Sequence, residues 1–199
     1  MSVRELPLSG IKVIEFCQVA AGPFCGMLMA DFGADVIKVE NIDGGDGMRK
    51  WPPITNGFSE NFASLNRNKR SIALDLKSPE GKEIAIQLCA GADVVVENNR
   101  PGVMDRLGLG YKQLSRINPA LVYASISGFG QTGPRAAEGG FDVTIQAMAG
   151  VISVTGEENG GPVKCGVPIS DFSTGLYAAF SISSALRQAA NDRSMLRLF

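Results

Sequence analysis

An α/β fold, with an open and largely parallel sheet flanked by helices, is what the 199-residue sequence predicts. Three observations carry that expectation. Short runs rich in β-branched residues alternate with stretches of helical spacing along the chain. The first strand, helix and strand fit within about thirty residues, the size of a βαβ unit with a right-handed crossover. Asp93-Val94-Val95-Val96-Glu97 is apolar without alternation, the pattern of a parallel strand buried on both faces.

Each element has its own local cause. Ile11 to Phe16 reads as a first strand. Ala21-Gly22-Pro23 turns the chain into a helical run from Phe24 to Phe32, with Gly33 at the position after its end. Asp35 to Glu40 is a second strand. Residues 41–57 are polar and rich in Gly and Pro, and read as a long loop. Ser71 to Leu76 resumes a strand. The next helix opens with Ser78 as N-cap and Pro79 at its first position. After the strand at 93–97, Pro101-Gly102 leads into short helices at Val103–Leu107 and Tyr111–Ile117. Leu121 to Ile126 is a further strand, and spacing turns helical over Phe141 to Ala149. A last helix spans about 171–190, with Leu176, Ala179, Phe180, Ser183 and Leu186 on one face.

Composition narrows the function. Net charge is −1 with no long basic run, so there is no electrostatic case for nucleic acid. No apolar run approaches the ~18 residues of a membrane span, and no leader-like segment opens the chain. The four cysteines show no C-x-x-C spacing and read as small buried hydrophobes in a reducing, cytoplasmic setting. There is no histidine, which removes imidazole bases, Ser-His and Cys-His pairs and His-ligated zinc together; no metal is expected.

Carboxylates are what remain, and Asp171 is the best placed, just ahead of the last helix. Two readings fit it: a helix N-cap, or a nucleophile kept ionised by backbone amides and the helix dipole. Carboxylates attack acyl groups to give mixed anhydrides, and a thiolate leaves such an exchange without a general acid. The first strand-turn-helix lacks a dinucleotide fingerprint, because Cys17-Gln18-Val19-Ala20-Ala21-Gly22-Pro23 holds one glycine, and no P-loop is present. Gly128-Phe129-Gly130 follows a strand end, where it either connects or approaches a substrate. Asn66-Arg67-Asn68-Lys69-Arg70 is either a solvated face or an anion site.

Taken together, these segments resemble the class III CoA-transferases, the family of formyl-CoA transferase, carnitine CoA-transferase and alpha-methylacyl-CoA racemase. The matching stretches, in order, are residues 8–16, Ala21-Gly22-Pro23, residues 33–40, residues 68–77, Val96-Glu97-Asn98-Asn99-Arg100-Pro101-Gly102 and Ser127-Gly128-Phe129-Gly130. The resemblance runs from about residue 8 to residue 188. It implies the N-terminal half of that family's fold, a Rossmann-like sheet over residues 1–190. Residues 191–199 differ in texture and read as an atypical tail, as a truncation or frameshift would leave.

By the same resemblance, Asp171 corresponds to the family's catalytic aspartate, which carries aspartyl-CoA and anhydride intermediates. Val19, Ala20, Leu74, Lys77, Asn98, Asn99 and Arg106 are similar to residues that contact coenzyme A. Three positions depart from the pattern. Asn99 stands where Phe is common, Asn41 where some relatives carry Arg, and Phe141 where the racemase branch carries its catalytic His. The expected activity is therefore transfer of coenzyme A from an acyl-CoA to a carboxylic acid. A racemase, disfavoured without that His, and an inactive fragment needing a partner chain are the alternatives. Family members are longer and pair as interlinked rings, so a homodimer, or association with a second half-chain, is implied.

Overall fold

In the computed structural model, which describes residues 5–191, a five-stranded parallel sheet lies between two layers of helices. Strands β1 (Lys12–Phe16), β2 (Asp35–Glu40), β5 (Arg70–Ala73), β6 (Val94–Glu97) and β7 (Val122–Ser125) stand in the order β5-β2-β1-β6-β7. A small antiparallel hairpin, β3 (Ile54–Thr55) and β4 (Phe58–Ser59), lies apart. The helices are α1 (Ala21–Asp31), α2 (Glu60–Asn66), α3 (Pro79–Ala90), α4 (Val103–Leu107), α5 (Tyr111–Ile117), α6 (Asp142–Met148) and α7 (Ile169–Asn191).

Side-chain alternation sorts the core into two halves. Val13, Val94 and Val96 point to the face covered by α1 and α7, where they pack with Cys25, Met29, Ala179 and Ile182. Ile14 and Val95 point to the other face and meet Ala85, Cys89, Met104 and Leu114 from α3, α4 and α5. β6 is buried at every position, which explains its unbroken apolar run. Each fully buried Val or Ile contributes about 1.5–3 kcal/mol relative to exposure.

Boundaries follow local chemistry closely. Ser78 Oγ accepts from the Gly81 N–H at 3.0 Å, and Pro79 occupies the first turn, as expected. α1 starts at Ala21, three residues ahead of the expected Phe24, because Pro23 fits a first turn that needs no donor from it. The stretch 41–57 is less of a loop than expected: Gly47–Lys50 forms a 3₁₀ turn capped by Asp46, and the hairpin follows. α2 was not anticipated. It has seven residues and buries only Leu65, too little for an apolar period, although Ser59 caps it through the Phe62 N–H.

The largest correction concerns α7. Leu176 and Phe180, expected to share one face with Ala179, are 56% and 69% exposed, whereas Ala179 is buried in a stripe with Gly175, Ile182 and Ala185. Small residues win because α7 lies close on α1: a Cβ at Gly175 would stand 2.5 Å from the Ala21 carbonyl oxygen. Gly175→Ala gains about 1 kcal/mol of helix propensity but forces backbone to move, at about 1–3 kcal/mol. The expected result in urea titration is a net loss of stability. Residues 192–199 of the expected tail lie outside the described residues; its first residue, Asn191, still belongs to α7.

Candidate active site

The chain runs from β1 to β2 and β5 on one side, then crosses to β6 and β7 on the other. The carboxyl ends of β1 and β6 therefore border a topological switch point, where ligands of open α/β sheets bind. Two asparagines tie these ends together. Asn98 Oδ1 accepts from Gln18 N–H at 2.9 Å while its Nδ2 donates to the Gln18 carbonyl at 2.8 Å. Asn99 Nδ2 donates to the Phe16 carbonyl at 3.2 Å. Both side chains thus extend the β1–β6 pairing past the last strand residues.

A buried network fixes the β1–α1 loop from below. Lys38 Nζ lies 3.0 Å from Glu15 Oε1 and 2.9 Å from Asp46 Oδ2, and donates to the Cys17 carbonyl at 2.7 Å. Lys69 Nζ lies 2.8 Å from Glu15 Oε2. Gly26 makes this possible, since a Cβ there would collide with Glu15 Oε2. Burial alone would lower the Lys38 ammonium pKa, but the Glu15 and Asp46 carboxylates outweigh it and hold it above its ordinary value. Asp46 also accepts from the Val19 N–H at 3.1 Å. Val19 has φ +65°, a conformation costly for a β-branched residue and held here by its surroundings.

Two cavities flank this loop, and Gln18 and Asn99 line both. The first, of about 420 Å³, is floored by Leu74, Leu76, Met104 and Leu107, with exposed Lys77 as the basic residue in its lining. The second, of about 380 Å³, brings Val19, Ala20, Asn98 and Asn99 together with Asp171, Phe141 and Arg100. Arg106 lines neither; it is exposed on α4, beside Met104 and Leu107 of the first cavity. Gly128 lines the second cavity in backbone contact with Gly140, where a Cβ on Gly128 would stand 2.7 Å from the Gly140 Cα.

Asp171 is the third residue of α7, inside its first turn, rather than the N-cap that local pattern favoured. That turn is pinned by Asp142, whose Oδ1 accepts from the Ser170 N–H at 2.8 Å. Behind it Phe172 stacks on Phe24 with centroids 4.7 Å apart. Among the described residues, none donates a hydrogen bond to the Asp171 carboxylate. Burial, then the Asp142 charge, push its carboxyl up to about 6, against the expectation of a carboxylate stabilised by helix amides. It is still mostly ionised at neutral pH, poorly solvated and unshared, which are the properties of a reactive carboxylate.

Other expectations sort themselves by long-range partners. In the basic stretch, Arg67 pairs with Asp31, Arg70 with Asp35 and Lys69 with Glu15, so every cation there already has a carboxylate. Lys69 is buried rather than solvated. Cys17, Cys25 and Cys89 are buried as expected, and burial pushes the Cys25 and Cys89 thiols up to about 12; Cys165 is partly exposed. Sequence reasoning missed Lys38, Asp46 and Asp142, whose contacts with Glu15, the Val19 N–H and the Ser170 N–H join segments distant in sequence. The signal available for Asp142 was its spacing four residues before Gln146, which donates to it and is itself fully buried.

Comparison with known proteins adds four findings. The sequence matches the CoA-transferase family III model over residues 8–194. It is 47% identical over 196 residues to succinate–glutarate CoA-transferase of Agrobacterium fabrum, spanning 95% of this chain and 49% of that protein. Human succinyl-CoA:glutarate CoA-transferase is 45% identical over 183 residues, 92% of this chain and 42% of that protein. A solved CAIB/BAIF family protein from Brucella suis superposes with a TM-score of 0.92 at 44% identity, over 96% of this chain and 52% of that one. The chain thus spans about half the length of the relatives it matches.

Proposed function

The chain belongs to CoA-transferase family III, and from that premise we propose that it transfers coenzyme A from an acyl-CoA to a carboxylic acid with Asp171 as nucleophile. The observation that carries this reading is the second cavity, where a half-buried, unshared carboxylate faces the β1 and β6 loop ends. An Asp171 oxygen attacks the thioester carbonyl, the C–S bond breaks, and CoA thiolate leaves with the electron pair. The thiolate then attacks the Asp171 carbonyl of the mixed anhydride and expels the donor acid. The acceptor carboxylate attacks the resulting aspartyl thioester, and the thiolate, released again, takes the acceptor's acyl group and frees Asp171. Each step exchanges one acyl bond for another, so no imidazole is required.

In this reading coenzyme A lies across both cavities. Leu74 and its apolar neighbours take the adenine end, Lys77 and Arg106 meet phosphates, and Val19 and Ala20 guide the pantetheine toward Asp171. In this arrangement Asn98 and Asn99 serve chiefly by shaping the backbone, because their amides are already engaged. The two named relatives act on succinate and glutarate, which supports a short dicarboxylate as donor or acceptor here. A homodimer, or a second half-chain, would cover the exposed Leu176, Tyr177 and Phe180 of α7. Among the described residues no helix is long and apolar enough to cross a membrane. The buried free thiols support a reducing, cytoplasmic setting.

The test is chromatographic detection of glutaryl-CoA after incubating the full chain with succinyl-CoA and glutarate; absence of product from a folded, CoA-binding chain counts against it. The rate of acylation carries a pH signature. With a carboxyl titrating at about 6, ionised nucleophile falls about tenfold between pH 7 and pH 5. Single-turnover rates are expected to follow that curve and to level off above pH 7. Asp142→Asn removes a charge that raises this pKa and is expected to move the curve to lower pH.

A further inference from the structure

Among the described residues, Arg100 is the only basic side chain lining the Asp171 cavity. Its backbone follows directly on the Asn98 and Asn99 clamps, which fix where it leaves β6. Its guanidinium lies against Gly139, where a Cβ would stand 3.4 Å from Nη2, so the absent side chain gives it room at the cavity wall. Glu138, a carboxylate in the same lining, is already held by Arg135 through Nε at 2.9 Å and Nη2 at 2.6 Å. Among the described residues, Arg100 has no ion pair and no side-chain hydrogen bond. A planar two-pronged donor left over in a cavity with a nucleophilic carboxylate is suited to a carboxylate ligand.

Resting on the transfer reading above, we propose that Arg100 binds the distal carboxylate of a dicarboxylic acyl group while Asp171 attacks its thioester end. An extended four-carbon diacid, its end carbons about 4 Å apart, is small enough for a cavity with the volume of a sphere about 9 Å across. Phe141 and Ile145, on the same wall, meet the methylenes between. Arg100 is thus a specificity residue that separates diacyl from simple acyl substrates.

The test compares succinyl-CoA with butyryl-CoA, the same chain length with a methyl in place of the carboxylate, by single-turnover acylation of the full chain. Wild type is expected to prefer succinyl-CoA by about tenfold to a hundredfold, the worth of a charge-assisted hydrogen bond. In Arg100→Ala the ratio of the two rates collapses toward one, and Arg100→Lys restores part of it. An unchanged ratio overturns the proposal. So does an equal fall in both rates with weaker binding of free CoA, which would assign Arg100 to the CoA phosphates. No acylation from either thioester overturns the transfer reading itself and this proposal with it; acylation without preference overturns the proposal alone.

Discussion

Lys38→Met is expected to cost about 3–5 kcal/mol, the usual penalty for removing one partner of a buried ion pair. Lys38 is 1% exposed and stands between Glu15 and Asp46, with the Cys17 carbonyl as a third acceptor. Without its ammonium, Asp46 is left buried and uncompensated, and Glu15 keeps only Lys69. Single domains have about 5–15 kcal/mol in total, so the variant would be close to unfolding. Urea titration measures this. Adding Asp46→Asn to Lys38→Met removes the orphaned charge, and the double variant should lose less than the sum of the two singles. The network also carries the site, because the carboxylate that meets Lys38 receives the Val19 N–H. A loss below about 1 kcal/mol in Lys38→Met would show that the pair contributes little.

Asp171→Asn is expected to abolish acylation, lowering transfer by about 10⁴-fold or more, as loss of a nucleophile does elsewhere. The same change should stabilise the fold at neutral pH. The folded carboxyl titrates at about 6 against an ordinary 3.8, so ionising it opposes folding. That cost is absent below about pH 3.8, grows as pH rises toward 6 and is complete above it. Asn carries no such cost, and the expected pattern is a gain of about 1 kcal/mol at pH 7 that vanishes near pH 3.5, its size reduced by solvent screening of a carboxyl that is only partly buried. A nucleophile that is inexpensive to the fold would show neither the gain nor its pH dependence. Paired loss of activity and gain of stability marks a residue kept for chemistry.

The parts legible in the sequence are those with local causes. The β-branched runs became β1, β2, β6 and β7, Ser78 capped α3, and α4 and α5 end where the short helical stretches ended. What escaped depends on residues distant in sequence. Lys69 sits in a string that looks like surface, yet Gly26, 43 positions earlier, opens the space that lets it reach Glu15. The buried stripe of α7 follows small residues rather than large ones, because α1 comes too near for Leu176 or Phe180. The place of Asp171 at the head of the last helix was legible, but its state was not. Its pKa depends on burial beneath other elements and on Asp142, which no local pattern places beside it.

The central claim is that Asp171 forms an acyl bond, and one measurement tests it directly. The full chain is mixed with succinyl-CoA, quenched with hydroxylamine, and analysed by intact mass and peptide mapping. The account predicts a hydroxamate on Asp171 that is missing in Asp171→Asn. A folded chain that binds CoA but carries no modification, or carries it on Asp142 instead, would contradict it.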